Sequence, residues 1–266
     1  MITSPKRSSL IFFLLVLALS IPFWVAGAFT SRQLLPALPI SALAFLCPAA
    51  AAALLVYRSS GWTGVTTLLK RSFDFKRIGN KAWILPLIFL QPAIMALSYL
   101  VMRLTGVPIP APQFSILTAL ALSVIFFIGG LGEELGWSGY VIDPLQERFG
   151  ALGASLLLGG IWAVWHFIPL LEVPRSWGFI AWWTLGTVAS RVIIVWLYNN
   201  TGRSVFVAVA FHAILDITWQ LFPVNGSFYD PRVTGLIAAV VAVVVVIIWG
   251  PRTLTRRKSV TLGRTG

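Results

Sequence analysis

Long apolar runs, separated by short polar segments or segments rich in proline and glycine, dominate the hydropathy pattern of this chain. A transmembrane helix needs about 20 predominantly apolar residues. Eight runs meet or approach that length, and they predict spans near 9–29, 38–57, 82–103, 114–134, 151–170, 178–199, 203–221 and 233–250. The pattern therefore predicts an all-α polytopic membrane protein with about eight transmembrane helices.

Segments outside the spans complete the predicted organisation. The run that follows Lys6 and Arg7 is longer than the apolar part of a usual signal peptide, and more spans follow it, so we interpret it as the first transmembrane helix. The segment 58–81 is long and basic, and we expect Trp62–Leu69 to form a short interfacial helix within it. The tail 251–266 is expected to be disordered. The predicted units are N-terminal helices with a basic loop over 1–109, a core over 110–221, and a last helix with the tail over 222–266.

Composition agrees with a membrane protein. The 266 residues are 58% hydrophobic and 11% charged, with a mean hydropathy of +0.88, whereas a soluble domain has about 25% charged residues. The net charge of +12 is spread over short loops and tails. This distribution argues against nucleic acid as a partner and indicates a basic face against the anionic lipid of the bilayer. The single cysteine, Cys47, lies in an apolar run and is expected to be a packing residue.

Basic residues divide unequally between the two sides of an eight-span topology. Fifteen lie on the side of the termini and four on the other side, and Arg191 lies within the sixth span. The positive-inside rule therefore predicts a multi-pass protein of the cell membrane with both termini cytoplasmic. The fifteen are Lys6, Arg7, Arg58, Lys70, Arg71, Lys76, Arg77, Lys81, Arg148, Arg203, Arg252, Arg256, Arg257, Lys258 and Arg264, and the four are Arg32, Arg103, Arg175 and Arg232.

Ionisable residues inside the apolar runs are the candidates for function. Glu133 and Glu134 end the fourth run, and the only two histidines, His166 and His212, lie in the fifth and seventh. An ionisable side chain in hydrocarbon costs at least ~2.5–3.5 kcal/mol, so such residues usually face a polar interior and have a function. The alternative for each residue is a structural hydrogen bond or a solvated helix end. Their coincidence on three segments favours one shared site.

Spacing indicates how these residues meet. Glu133 and His166 are almost equally far along the chain from the turn expected at Gly150. An antiparallel hairpin would place them at the same depth. His212 and Asp216 are four residues apart and share a helix face, as do Trp162 and His166. Small residues at Gly129, Gly130, Gly132, Gly159 and Gly160 allow close approach of these helices.

Two kinds of chemistry are open to this set. A carboxylate beside an imidazole can take a proton from water and create a nucleophile, while a second imidazole stabilises the oxyanion formed on a carbonyl. Alternatively, Glu133, His166 and His212 can hold zinc with a water in the fourth position. Both routes lead to amide hydrolysis, and the residues leave the cofactor open between none and zinc.

Three motifs resemble those of the CPBP family of intramembrane proteases, which includes type II CAAX prenyl endopeptidases and bacteriocin-processing or self-immunity proteins. The family motifs E-E-x-x-x-R, F-x-x-x-H and H-x-x-x-N correspond here to 133–138, 162–166 and 212–216. The resemblance implies an eight-span peptidase with its site in a cavity among spans four to seven. It also implies a membrane-associated protein or peptide substrate, which is a CAAX protein in one branch of the family.

The same resemblance implies a role for each matching residue. Glu133 would activate water with help from His166, and His212 and Asp216 would form the oxyanion pocket. Asp216 stands where Asn is commoner. Because an ionised carboxylate cannot donate a hydrogen bond, Asp216 would be protonated, orient His212 or bind a metal.

Two further positions depart from the family pattern. Trp162 replaces Phe and keeps an aromatic wall, whereas Ser138 replaces the Arg that would pair with Glu134. Arg191, the only basic residue inside a span, is the candidate replacement partner, with snorkelling to an interface as its alternative. The lost Arg leaves a non-catalytic immunity or scaffold protein as an alternative function. A proton-coupled transporter is another, because buried acids and histidines also form proton relays.

Overall fold

The computed structural model of this chain describes residues 8–30, 32–173 and 175–256, and these are helical over most of their length. The helices follow the apolar runs, because in a bilayer the backbone must bond to itself. In chain order they are α1 (Ser9–Ala28), α2 (Leu46–Lys70), α3 (Ile84–Leu104), α4 (Ile116–Gly136), α5 (Ile142–Trp165), α6 (Phe167–Glu172), α7 (Trp177–Asn200), α8 (Val205–Leu221) and α9 (Pro231–Trp249). A two-stranded antiparallel hairpin, β1 (Gln33–Leu35) and β2 (Leu38–Pro39), lies between α1 and α2.

The predicted all-α polytopic class is confirmed. Within the described residues, six helical stretches are long and apolar enough to cross a membrane. One of them, Ile116–Glu172, has 57 residues and changes direction at Gly150, where φ is 70° and ψ is 172°, so it corresponds to two of the predicted spans. Helix α8, with 17 residues, is apolar but shorter. Each of the eight predicted spans thus coincides with a helix.

Two boundaries differ from the sequence interpretation. The second predicted span, 38–57, begins with strand β2 and a 3₁₀ segment, Ile40–Phe45, before α2 starts. The prediction of disorder over 251–266 is wrong for 251–256, where Leu254 is fully buried and the Arg252 carbonyl accepts a hydrogen bond from the Ala151 amide. The rest of the predicted disordered tail lies outside the described residues.

The predicted short helix at Trp62–Leu69 is present as the second part of α2. Gly61 interrupts α2 with φ 60° and ψ −160°, a conformation that glycine adopts without strain. After this break the chain remains helical to Lys70. The Trp62 side chain is largely exposed and packs edge-on against Tyr57.

A π-helical segment, Trp137–Val141, joins α4 to α5 without a turn. Pro144 follows three residues later and carries no amide hydrogen, and its ring prevents a regular α-helical bond to the carbonyl one turn before it. The wider π turn accommodates this interruption. Helix therefore continues from the end of α4 to Gly150, and Glu133 lies in the middle of a long continuous element.

Close approach at glycines brings the site-bearing helices together. A Cβ atom at Gly132 would lie 2.7 Å from the Phe45 carbonyl oxygen, and one at Gly130 would lie 3.0 Å from the Val209 carbonyl oxygen. A Cβ atom at Gly159 in α5 would lie 3.0 Å from a backbone atom of α7. Helix α4 accordingly packs between α2 and α8, and α5 packs on α7.

Candidate active site

Four residues singled out from the sequence converge on one cavity. His166 Nε2 lies 3.9 Å from Glu133 Oε1, and His212 Nε2 lies 4.0 Å from the same oxygen. Asp216 Oδ2 lies 3.6 Å from His212 Nε2. All four line a cavity of about 480 Å³. The hairpin formed at Gly150 thus brings Glu133 and His166 face to face.

Glu133 is held from one side and open on the other. Its Oε2 accepts hydrogen bonds from Trp162 Nε1 at 2.6 Å and from Trp137 Nε1 at 3.1 Å, and all three side chains are buried. These bonds fix the carboxylate so that Oε1 points to the two imidazoles. Sequence reasoning assigned no role to Trp137, although its position four residues after Glu133 places both on one helix face.

His166 has a defined hydrogen-bonding pattern. Its Nδ1 lies 2.9 Å from the Trp162 carbonyl oxygen. Because a carbonyl only accepts, Nδ1 carries the proton, and Nε2 of the neutral ring has a lone pair directed to Glu133. The ring also contacts Trp165 and Trp183 edge-on or tilted, with centroid separations of 4.7 and 5.4 Å. These contacts restrict the imidazole to one orientation.

Glu134, in contrast, is saturated with donors. Arg191 donates from Nη1 to Oε2 and from Nη2 to Oε1, both at 2.9 Å, and both residues are fully buried. Ser138 Oγ also donates to Oε2, and His212 Nδ1 lies 2.9 Å from Oε1. The predicted pairing of Arg191 with Glu134 is confirmed, and the alternative that Arg191 snorkels to an interface is wrong.

Trp162 connects the two carboxylates. Its indole ring lies under the Arg191 guanidinium, with Cζ 4.3 Å from the ring centroid, a cation–π arrangement. Its Nε1 donates to Glu133. Arg191, which pairs with Glu134, therefore also packs on the indole that holds Glu133. The aromatic wall predicted at this position therefore has a hydrogen-bonding role that phenylalanine cannot supply.

His212 connects the buried pair of Glu134 and Arg191 to the cavity. Its Nδ1 contacts Glu134, so Nε2 points to Glu133 and Asp216. At 3.6 Å, the distance from Asp216 to His212 is too long for a hydrogen bond. The Asp216 side chain is 35% exposed, against 4% for His212, and it faces the open part of the cavity.

The cavity was predicted to lie among spans four to seven, but further elements also line it. Helices α4, α5, α7 and α8 contribute, but so do the β1–β2 hairpin, the 3₁₀ segment after it, α3 and α9. The sequence interpretation contains no hairpin, because it places β1 in the loop before the second predicted span and β2 at the start of that span. Most of the lining is apolar, which suits a lipophilic or extended apolar ligand.

As placed, the residues proposed as zinc ligands do not fit the ion. Nitrogen and oxygen ligands about 2.1 Å from a tetrahedral zinc are roughly 3.4 Å apart, whereas Glu133 Oε1 is 3.9 and 4.0 Å from the two histidine Nε2 atoms. In the described part of the chain, no group of three or more His, Cys, Asp or Glu residues is arranged to hold a metal.

Comparisons with known proteins cover the same region. The family described as Type II CAAX prenyl endopeptidase Rce1-like matches residues 113–218, which contain every site residue named above. A protein named CAAX prenyl protease 2, from Methanococcus maripaludis, is 28% identical, with 92% of this chain and 96% of the relative covered. Both comparisons support the resemblance to the CPBP family of intramembrane proteases and an intramembrane peptidase of the CAAX type.

Proposed function

We propose that this protein hydrolyses a peptide bond of a membrane-associated protein or peptide with a water molecule activated by Glu133 and His166. The observation that carries the proposal is the 3.9 Å separation between Glu133 Oε1 and His166 Nε2. This distance is too long for a direct hydrogen bond and suits two groups that share one water.

In the proposed reaction, Glu133 takes a proton from the shared water while His166 Nε2 orients it by accepting its other hydrogen. The resulting hydroxide forms a bond to the carbonyl carbon, and the π electron pair moves to the carbonyl oxygen. When the carbonyl re-forms, the carbon–nitrogen bond breaks. Glu133 then returns its proton to the departing amine, which leaves the enzyme in its starting state.

His212 is the proposed donor to the oxyanion. Its Nδ1 is committed to Glu134, so donation from Nε2 requires a proton on both nitrogens, and the imidazolium then lies between the carboxylates of Glu134 and Asp216. A donor fixed before the reaction stabilises developing charge without reorganisation. Asp216 is proposed to orient and neutralise this imidazolium rather than donate itself.

A non-catalytic protein is an alternative because Ser138 replaces the arginine of the family motif. Arg191 supplies a bidentate partner to Glu134 from another helix, so the loss of the family arginine does not leave this carboxylate unpaired. For the substrate, the Methanococcus maripaludis relative is named a CAAX prenyl protease. A prenylated peptide with a free C-terminus is therefore the substrate class to test first.

We further propose that both termini face the cytoplasm. Loops rich in basic residues meet at one end of the bundle, where Arg71 donates to the Gly139 and Arg203 carbonyl oxygens and Arg77 donates to the Gly202 carbonyl oxygen. This end is consistent with a cytoplasmic face. The cavity is lined at the opposite end by the β1–β2 hairpin and by residues of the loops before α7 and α9. In this orientation it receives substrates from the non-cytoplasmic side.

The two adjacent glutamates should respond differently to substitution. Glu133→Gln removes the base but keeps an oxygen for the two indoles, so we expect a loss of about 10²–10⁴-fold in kcat with little change in unfolding temperature. Glu134→Gln leaves the buried Arg191 without its charge partner and should cost about 3–5 kcal/mol of stability. Cleavage of a quenched peptide library and thermal unfolding in detergent measure the two effects. Full activity of Glu133→Gln would show that the base is wrongly assigned.

Metal dependence should be absent. Purified protein treated with a strong zinc chelator should keep its peptidase activity, and elemental analysis should find no stoichiometric zinc, because the candidate ligands are too far apart. Loss of activity on chelation, with recovery when zinc is added, would overturn the metal-free mechanism and support the ligand set Glu133, His166 and His212.

Cysteine labelling tests the orientation. In a Cys47→Ser background, Lys76→Cys places a thiol on the basic end and Ala111→Cys places one on the opposite end, both at exposed positions. A membrane-impermeant maleimide should label Ala111→Cys in right-side-out vesicles and Lys76→Cys only after the vesicles are opened. The reverse pattern would contradict the orientation and turn the cavity to the cytoplasm.

A further inference from the structure

Arg175 is a cation on the cavity wall that has no charge partner among the described residues. It lies in the short segment between α6 and α7, and its guanidinium stacks on the Phe179 ring, with Cζ 4.4 Å from the ring centroid. Among the described residues that line the cavity it is the only lysine or arginine. Within the described part of the chain, its side chain makes no ion pair or hydrogen bond.

Two other arginines near this end of the molecule have partners, and a third, Arg32, is exposed and does not line the cavity. Arg232 pairs with Asp230 at 2.8 Å, and Arg103 donates to the Ile109 carbonyl oxygen at 3.1 Å. Arg191, deeper in the bundle, is committed to Glu134. Among the described residues, Arg175 is therefore the cation on the cavity wall that remains available to a ligand.

The surroundings of Arg175 favour an anionic ligand. Partial burial lowers the pKa of its guanidinium. A partly desolvated cation without a counter-ion is unfavourable, and a carboxylate that binds it in the bidentate manner removes this cost.

The other charges of the cavity restrict where such an anion can bind. Glu133 and Asp216 both carry carboxyl groups that face the cavity, and they repel a second anion. An anionic substrate group is therefore directed away from them and to Arg175. Because a cavity of about 480 Å³ holds a ligand of drug or short-peptide size, the end of a peptide chain fits better than a long continuous segment.

We propose that Arg175 binds the C-terminal carboxylate of the substrate and thereby fixes which peptide bond lies against Glu133. This inference rests on the proposed peptidase function and adds a specificity residue to it. Arg175 has no part in the chemical step. It selects substrates whose scissile bond lies at a fixed distance from a free C-terminus.

The test compares two peptides of one sequence, one ending in a free carboxylate and the other in an amide. The wild-type protein should cleave the free acid with a KM at least about tenfold lower, since hydrogen bonds to charged groups contribute about 1.5–3 kcal/mol. Arg175→Gln should abolish this preference while kcat on the amide peptide stays unchanged, and Arg175→Lys should keep part of it. Arg232→Gln, an exposed arginine at the same end, is the matched control and should keep the full preference.

Binding measured without catalysis separates this proposal from the proposed function. In a Glu133→Gln background, quenching of cavity tryptophan fluorescence should show the same preference for the free acid and its loss in Arg175→Gln. If that preference is present but the wild-type protein cleaves no peptide, the hydrolytic mechanism fails, while the binding of the C-terminal carboxylate by Arg175 is supported. If the wild-type protein cleaves the acid and the amide with equal KM, or if Arg175→Gln keeps the preference, the proposal that Arg175 binds the C-terminal carboxylate is wrong.

The same experiment distinguishes the C-terminal carboxylate from two other anions, a side-chain carboxylate and a lipid phosphate. An amidated peptide that ends in Glu and is preferred through Arg175 would show that a side-chain carboxylate, not the terminus, is bound. An effect of Arg175→Gln confined to vesicles containing anionic phospholipid, and absent in vesicles of neutral lipid, would show that a lipid phosphate is bound. Either result would overturn the assignment to the C-terminal carboxylate.

Discussion

The buried ion pair between Glu134 and Arg191 is the interaction on which the site depends. Both side chains are fully buried and meet through two hydrogen bonds of 2.9 Å, so each charge has its counter-ion in a medium without water. A buried pair of this kind adds little net stability over apolar packing, but removal of one partner is strongly destabilising. The pair therefore fixes the relative positions of α4 and α7, and through His212 it also fixes α8.

This pair also explains why two adjacent glutamates have separate functions. Every oxygen of Glu134 has donors, whereas Glu133 is held by two indoles at Oε2 and leaves Oε1 to the cavity. Arg191 stacks on Trp162, which donates to Glu133, and His212 turns its second nitrogen to the cavity because its first contacts Glu134. The position of the reactive carboxylate is thus determined by the unreactive one.

Much of this arrangement follows from the sequence. The apolar runs predict the helices, the equal distances from Gly150 predict that Glu133 faces His166, and Arg191 is the single cation available inside a span. The β1–β2 hairpin could not be predicted, since its strands have three and two residues, too few to show a strand pattern, and β2 continues into the apolar run of the second span. The indole donors to Glu133 were missed for a related reason, because hydropathy treats tryptophan as packing and contains no information on where its N–H points.

The activity of two variants tests this account most directly. Arg191→Met introduces an apolar side chain of similar length and leaves Glu134 without its cation, so this variant should be inactive. Adding Ser138→Arg places a cation one helical turn from Glu134 and should restore peptidase activity to the Arg191→Met protein. Wild-type activity of Arg191→Met on its own would contradict the claim that this ion pair organises the site.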